Sequence, residues 1–280
     1  MTIDAPAKVN LTLRVLGKRP DGFHDIETHM APVSLCDRLQ LEIQKGEGVC
    51  LTCSDPSLPL DESNLVCRAV RAFARHTQAR FLARMHLQKR IPHGAGLGGG
   101  SSDAAAVLVG LDRLLGTSLP LHELESLAGT IGSDVPFFIR CQPAICRGRG
   151  EIIEPVATMP GAEILLIKPP FAVSTPWAYR RWAEAKKTEA TFAQSHGSIQ
   201  LMNDLEAPVF SKHLVLPVLK NRLQAEPGVS AALMSGSGST IFAILENGSE
   251  GLEQRIHEAF GETFQTFRCR LLDGPGHVFS

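Results

Sequence analysis

The sequence predicts an α+β protein of two domains, and three observations carry that expectation. At 280 residues the chain holds one or two domains of roughly 150 residues, each with room for a packed core. Short apolar runs alternate with amphipathic stretches, and Pro and Gly punctuate them throughout, as in a protein of mixed strands and helices. The second half also reads strand, helix, strand, strand, helix, strand, the order of a split βαββαβ unit.

Taken in order, Lys8 to Leu16 and Leu39 to Ile43 are apolar strands. After Ser63, Val66, Ala69, Val70 and Phe73 fall on one stripe with Arg68, Arg71 and Arg75 opposite, which predicts a helix with a solvated basic face. Arg84 to Arg90 is a strand leading into five glycines between Gly94 and Gly100. Ala104, Val107, Leu108, Leu111, Leu114 and Leu115 then recur at helical spacing. Ser101, Ser102 and Asp103 stand at the start of that helix, where hydroxyls and carboxylates cap free N–H groups. Pro120 to Gly129 is a second helix, and Val135 to Ile139 a short strand. Pro155 to Gly161, with Met159-Pro160 inside it, is the domain boundary, dividing the chain into 1–157 and 158–280. Beyond it come a strand at Ile164 to Ile167 and a helix starting at Thr175-Pro176, an N-cap followed by an N1 proline. A helix at Leu214 to Leu223, strands at Ala231 to Met234 and Ile241 to Leu245, a helix at Glu250 to Phe260 and a strand at Thr263 to Leu271 complete the chain.

Composition screens out several classes. The formal net charge of −1 lacks the basic footprint of a dedicated nucleic-acid binder. No apolar run reaches the ~18–20 residues that span a bilayer, and Met1 to Asn10 has neither the charged start nor the apolar core of a signal peptide. Seven cysteines form no dense framework, so a reducing cytoplasm is the expected compartment. Cys50-Leu51-Thr52-Cys53 is a C-x-x-C without a second pair at zinc spacing, and ordinary thiols are the expectation.

The glycine cluster is where chemistry begins. Between a strand and a helix, glycines let backbone N–H groups turn toward a ligand without Cβ interference, and the helix start offers free donors and a positive dipole end to anions. The stretch is a phosphate cradle. Gly94, Gly96 and Gly99 also satisfy G-x-G-x-x-G, so a dinucleotide-dependent oxidoreductase stays open, although no acidic residue clearly ends a second strand at the expected distance. Walker A is absent, and no H-R-D or D-F-G follows for a protein kinase.

Asp134 stands at the junction of two elements, where a turn or capping role is the commoner use. Lys8 has apolar strand neighbours and needs a reason to point inward. Asn10, two residues on, shares its strand face. Lys89 ends a strand, a position more often solvated than bound to a nucleotide.

The string Pro92-x-x-x-Gly96-Leu97-Gly98 running into Ser101-Ser102-x-Ala104 resembles the signature loop of the GHMP kinases, which include galactokinase, homoserine kinase and mevalonate kinase. The ending Gly98-Gly99-Gly100-Ser101-Ser102-Asp103-Ala104-Ala105 is similar to one branch of them. That branch phosphorylates a cytidine diphosphate-linked methylerythritol polyol on the non-mevalonate route to isoprenoid precursors. Ala5 to Leu11, Arg19 to His24, Gly132 to Phe138 and Ser235 to Thr240 resemble further family blocks in the family order.

The resemblance implies a ribosomal-S5-like α+β domain, a ferredoxin-like βαββαβ domain and a substrate cleft between them. It places the phosphates of ATP, with Mg²⁺, on Pro92, Gly94, Ala95, Gly96, Leu97, Gly98, Gly99, Gly100, Ser101 and Ser102. It gives Asp134 and Lys8 the catalytic roles and brings Asn10 to the substrate. Phe23 and His24 would stack on and read the cytosine, with Thr175 and Tyr179 opposite, and Ser235, Gly236, Ser237 and Gly238 would form the third motif. Phe23 replaces the family tyrosine, keeping the ring and losing a hydroxyl. Expected partners are ATP and the cytidyl polyol, with neither nucleic acid nor membrane. Homoserine- or mevalonate-kinase activity remains the nearest alternative, and a non-catalytic binding protein on the same fold a further one.

Overall fold

The computed structural model describes residues 1–157, 161–185, 194–196 and 199–274; residues 158–160 of the expected boundary lie outside that set. The chain opens with strands β1 (Thr2–Lys18), β2 (His24–Gln44) and β3 (Gly48–Cys53). There follow α1 (Leu65–Thr77), β4 (Leu82–Gln88), α2 (Gly99–Leu115), α3 (Leu121–Gly129) and α4 (Val135–Arg140). Next are β5 (Ala144–Gly148), β6 (Ile152–Pro155), β7 (Glu163–Lys168), α5 (Thr175–Glu184), β8 (Gln194–His196) and β9 (Ile199–Asn203). The chain continues through α6 (Glu206–Phe210), α7 (Val215–Gln224), β10 (Val229–Met234), β11 (Ile241–Leu245), α8 (Leu252–Phe260) and β12 (Gln265–Arg270).

Two sheets organise these elements. The first runs β3-β4-β2-β1-β9-β8, with β5 paired to β2 and β6 to β5. Along β1, Ala7, Val9 and Leu11 point into the core shared with the second sheet, the period of two that a strand imposes. The intervening Lys8 and Asn10 therefore face the other way. Register shifts in the β1–β2 ladder at Pro6/Lys8 and Asn10/Thr12 bracket this pair, and such bulges re-aim side chains beside functional sites. Strand β9 pairs in parallel with β1 through Thr12↔Met202 and Leu13↔Asn203, so a strand from beyond residue 158 belongs to the first sheet.

The second sheet, β10-β11-β7-β12, is antiparallel throughout. With β7 first, its order is that of the split βαββαβ unit read from the sequence. Its inner strands β7 and β11 read as continuous apolar runs because both faces are covered. Leu165, Ile167, Ala243 and Leu245 pack against α5, α6, α7 and α8, while Ile164, Leu166, Phe242 and Ile244 join Ala7, Val9 and Leu11 of the first sheet. A third cluster joins α1, α2, α3 and α4 to the opposite face of the first sheet. Among the described residues no helix is long and apolar enough to cross a membrane.

Three expectations need correction. Val135–Arg140 is a helix, not a strand. A short apolar run is ambiguous between the two, and Pro136 near the N-terminus sacrifices no helical hydrogen bond. Helix α2 starts at Gly99 with Gly98 as its left-handed N-cap at φ 72°, so Ser101 and Ser102 lie inside the first turn and do not cap it. Helix α5 takes Ser174 as N-cap, which releases Thr175 for another contact. As for the C-x-x-C, both thiols are free, and a three-residue spacing along β3 sends them to opposite faces.

Candidate active site

The glycine loop leaves β4 under tight control. Asp37 of β2 accepts hydrogen bonds from Arg90 N (2.5 Å) and Ile91 N (2.9 Å), which fixes the turn out of the strand. Gly94, Gly96 and Gly98 then alternate in left-handed conformations at φ 63°, 77° and 72°. At Gly96 the requirement is absolute, since a Cβ there would lie 2.3 Å from the Ser235 carbonyl oxygen. The loop delivers the N-terminus of α2 to a cavity of about 390 Å³. Lys8, Asn10, Asp134, Thr175, Tyr179, Gly236 and Ser237 line that cavity together with Pro92 to Ser101.

On the β1 side, the Lys8 ammonium donates to Asn10 Oδ1 (2.6 Å) and to the Gly96 carbonyl (2.9 Å), and lies 3.8 Å from Asp134 Oδ2. Asn10 is held in turn, its Nδ2 donating to Thr28 Oγ1 (2.8 Å), whose hydroxyl donates to Thr12 O (2.6 Å). Burial lowers the Lys8 pKa, and the Asp134 charge opposes that shift. Asp134 heads α4, and its carboxylate remains about a third exposed at 35%. A carboxylate backed by a buried cation and open on one side can receive a hydroxyl and take its proton.

The Ser235–Gly238 loop closes over the glycine loop from the second sheet. Ser235 Oγ donates to Gly96 O (3.0 Å), and Thr240 N donates to Ala95 O (3.3 Å). Ser237 and Thr175 share a hydroxyl hydrogen bond of 2.7 Å, the contact that the shifted start of α5 makes available.

Aromatic groups stand at the rim. The His24 ring lies 5.2 Å from Tyr179 and 6.0 Å, edge-on, from Trp182. Burial and the Lys18 charge lower the His24 pKa, and His24 Nε2 is buried without a hydrogen-bond partner. Burial, with the Asp134 charge, raises the Tyr179 pKa. Phe23 is 49% exposed with the Arg149 guanidinium 5.0 Å from its ring centre. Phe23 and His24 are beside the cavity and are not part of its wall. Ser102 is buried behind the loop, and Ser235 and Gly238 support the wall from outside.

One cluster escaped the sequence reading. Lys89 is not solvated: its ammonium is buried between the Asp37 and Asp103 carboxylates, and it lines the cavity with Asp103, Asn64 and Leu65. One cation between two carboxylates leaves a negative charge in excess. Burial, resisted by Lys89, pushes the Asp103 carboxyl up to about 7, and Asp103 Oδ1 has no hydrogen-bond partner. Lys89 and Asp103 flank the glycine loop, 14 residues apart, but Asp37 lies 52 residues before Lys89, so no local spacing signals that the three meet.

The dinucleotide alternative fails on topology. The loop follows β4, which pairs antiparallel with β2 and parallel only with β3 at the sheet edge, so no doubly wound parallel sheet surrounds it.

Comparison with known proteins agrees. The description "GHMP kinases N terminal domain" matches residues 64–142, and "GHMP kinases C terminal" matches residues 186–264. A 4-diphosphocytidyl-2-C-methyl-D-erythritol kinase of Methylacidiphilum infernorum is 46% identical over 242 residues, covering 86% of this chain and 84% of that one. A crystal structure of 4-(cytidine 5'-diphospho)-2C-methyl-D-erythritol kinase superposes with TM-score 0.80 at 36% identity, covering 99% of this chain and 100% of the other. Homoserine kinase from Cytophaga hutchinsonii shares the fold at TM-score 0.66 and 16% identity, over 99% and 96% of the two chains. Identity at this level over nearly the whole length, on the same two-sheet frame, makes this chain a member of the GHMP kinases and, within them, of the 4-diphosphocytidyl-2-C-methyl-D-erythritol kinase family.

Proposed function

We propose that the protein transfers the γ-phosphoryl group of ATP to the 2-hydroxyl of 4-diphosphocytidyl-2-C-methyl-D-erythritol, a step of the non-mevalonate route to isoprenoid precursors, in the cytoplasm. The observation that carries the mechanism is the Lys8–Asp134 pair at 3.8 Å in the same cavity as the glycine loop and the start of α2. Phosphoryl transfer asks mainly for positioning and charge stabilisation. The loop from His93 to Ser101 holds the ATP phosphates on backbone N–H groups and the α2 N-terminus, with Pro92 and Ser102 framing it. Asp134 orients the acceptor hydroxyl. A carboxylate is too weak a base to deprotonate an alcohol outright, so Asp134 accepts the proton late, as the bond to phosphorus forms. Lys8, tied to the Gly96 carbonyl, holds positive charge between the carboxylate and the loop.

Mg²⁺ fits this donor set. Asp134 and the Ser101 hydroxyl are oxygen donors on the cavity wall, and among the described residues no trio of His, Cys, Asp or Glu converges as a protein-only cage. That pattern suits an ion carried mainly by nucleotide phosphates and water; bound there, it would neutralise charge on the transferring group. Tyr179 and Phe23 supply ring faces for the cytosine, with His24, 5.2 Å from Tyr179, as the polar reader and Thr175 and Asn10 as hydrogen-bonding partners for the polyol. The division into 1–157 and 158–280 assigns the loop and the catalytic pair to the first part and the Thr175–Tyr179 wall and Ser235–Gly238 loop to the second.

The test is ADP release with the cytidyl polyol beside homoserine, mevalonate and galactose. Turnover of the cytidyl substrate alone is expected; turnover of any of the other three without it would overturn the assignment.

A further inference from the structure

The Ser235–Gly238 loop is gripped from behind by a segment that the proposed reaction does not use. Strand β10 is an edge of its sheet. Ser235 N turns inward to Thr240 O, so the N–H and C=O of Met234 face outward, where a further strand would pair. Two side chains take that place. Glu206 Oε1 accepts from Met234 N (2.9 Å), and Asn203 Nδ2 donates to Met234 O (2.7 Å). The second N–H of the same amide reaches Gly236 O (2.8 Å), and its Oδ1 accepts from Leu205 N (2.9 Å). Asn203 is 4% exposed with every amide atom committed, and Glu206 is fixed by a buried ion pair to Lys220 (2.6 Å).

Gly236 is the residue that touches the chemistry. A Cβ on it would lie 3.2 Å from Asn10 Oδ1, 3.2 Å from Gly96 O and 3.4 Å from Lys8 Nζ. Next to Asn203, Asp204 binds β1 itself, donating from its N to Leu13 O (2.9 Å) and accepting from Val15 N (2.8 Å) on Oδ2. One short segment thus holds both the strand that carries Lys8 and the loop that presses on Lys8.

We propose that Asn203 is a positioning residue for phosphoryl transfer: by holding the Gly236 carbonyl, it keeps the Ser235–Gly238 loop in register with Lys8 and the glycine loop. Only a side-chain amide can present two donors to two converging carbonyls in this space. A carboxylate of the same shape would turn acceptors toward them. A role in packing alone would be met by any substitution that left the core filled.

The experiment compares Asn203→Asp and Asn203→Ala with Leu219→Ala, a change to a fully buried core residue of α7 that does not line the cavity. In all three, Tm, kcat, the KM for ATP and backbone amide exchange are measured. The Asn203 variants are expected to lose at least about tenfold in kcat with a raised KM for ATP. Their amides at 235–240 and 94–98 should exchange faster than in the wild type. Leu219→Ala is expected to lower Tm while keeping kcat, KM and exchange in those two loops. Wild-type kinetics in either Asn203 variant, or an equal kcat loss in Leu219→Ala, would overturn the proposal. If Asn203→Asp does not fold, Asn203→Ala decides by the same criteria. The kcat arm rests on the kinase reading, which wild-type turnover checks separately. The exchange arm needs no turnover, so unchanged exchange at 235–240 and 94–98 sinks the anchor whatever the substrate proves to be.

Discussion

At the scale of single residues, the site separates groups that react from groups that hold. Asp134 is half-buried on the cavity wall beside Lys8, so Asp134→Asn keeps the shape and removes the carboxylate proposed as proton acceptor. Turnover is expected to fall by about 10²–10⁴-fold while ATP affinity measured by calorimetry stays near the wild-type value. Asp103 shows the opposite use of a carboxylate. Its pKa, pushed up to about 7 in the folded chain, exceeds the unfolded value near 3.9. Through that window the native state keeps a proton that the unfolded chain has released, so stability falls as pH rises from about 4 to about 7 and is level above. Asp103→Asn removes this titration. Its Tm advantage over the wild type should grow through the same window in thermal scans, and a constant offset across the window would refute the assignment. These two aspartates also mark what was legible in the sequence. The motif around Asp134 points to it. Asp103 reads in sequence as a helix cap, because its partners, Asp37 and Lys89, reach it only through tertiary contact.

At the scale of elements, glycine positions predict where substitution is tolerated. Gly96→Ala would drive a Cβ to 2.3 Å from the Ser235 carbonyl at a φ of +77°, where backbone on both sides cannot yield. Loss of nucleotide binding, read by thermal shift with ATP, is expected together with a lower Tm. At Gly110 in α2, a Cβ would meet Ile3 Cδ1 at 2.6 Å and Leu41 Cδ2 at 2.7 Å, the far ends of side chains that can move. Gly110→Ala gains helix propensity of about 1 kcal/mol against that crowding, so it is expected to keep ATP binding even where Tm falls. Helices α1 and α8 are readable from periodicity because their polar faces meet water, and α2 from the helical spacing of its larger apolar residues, although it is buried on all sides from Ser102 to Leu108. Helix α4 is not. Val135, Pro136, Phe137, Phe138 and Ile139 are buried all round, so no polar phase remains to separate a helix from a strand. The bulges that aim Lys8 and Asn10 likewise leave no trace in composition, because they belong to the pairing of β1 with β2.

At the scale of the whole molecule, the two halves of the chain share a core. Ala7, Val9 and Leu11 pack with Ile164, Leu166, Leu233 and Phe242, and β9 extends the sheet of the first half. Calorimetry is therefore expected to show one cooperative unfolding transition with matching calorimetric and van't Hoff enthalpies; two resolved transitions would show that the halves are independent. A boundary read from Pro and Gly locates where the chain crosses over, and says nothing of a strand that later returns. The placement of α5 has a practical consequence. Trp177 and Trp182 are the only two tryptophans of the 280 residues. Both ride on this one helix, Trp182 against His24 and Trp177 beneath the Lys212 ammonium. The protein thus carries its own optical probe on the helix from which Tyr179 faces the cavity. Intrinsic emission excited at the indole band should follow acceptor binding in real time, without any label.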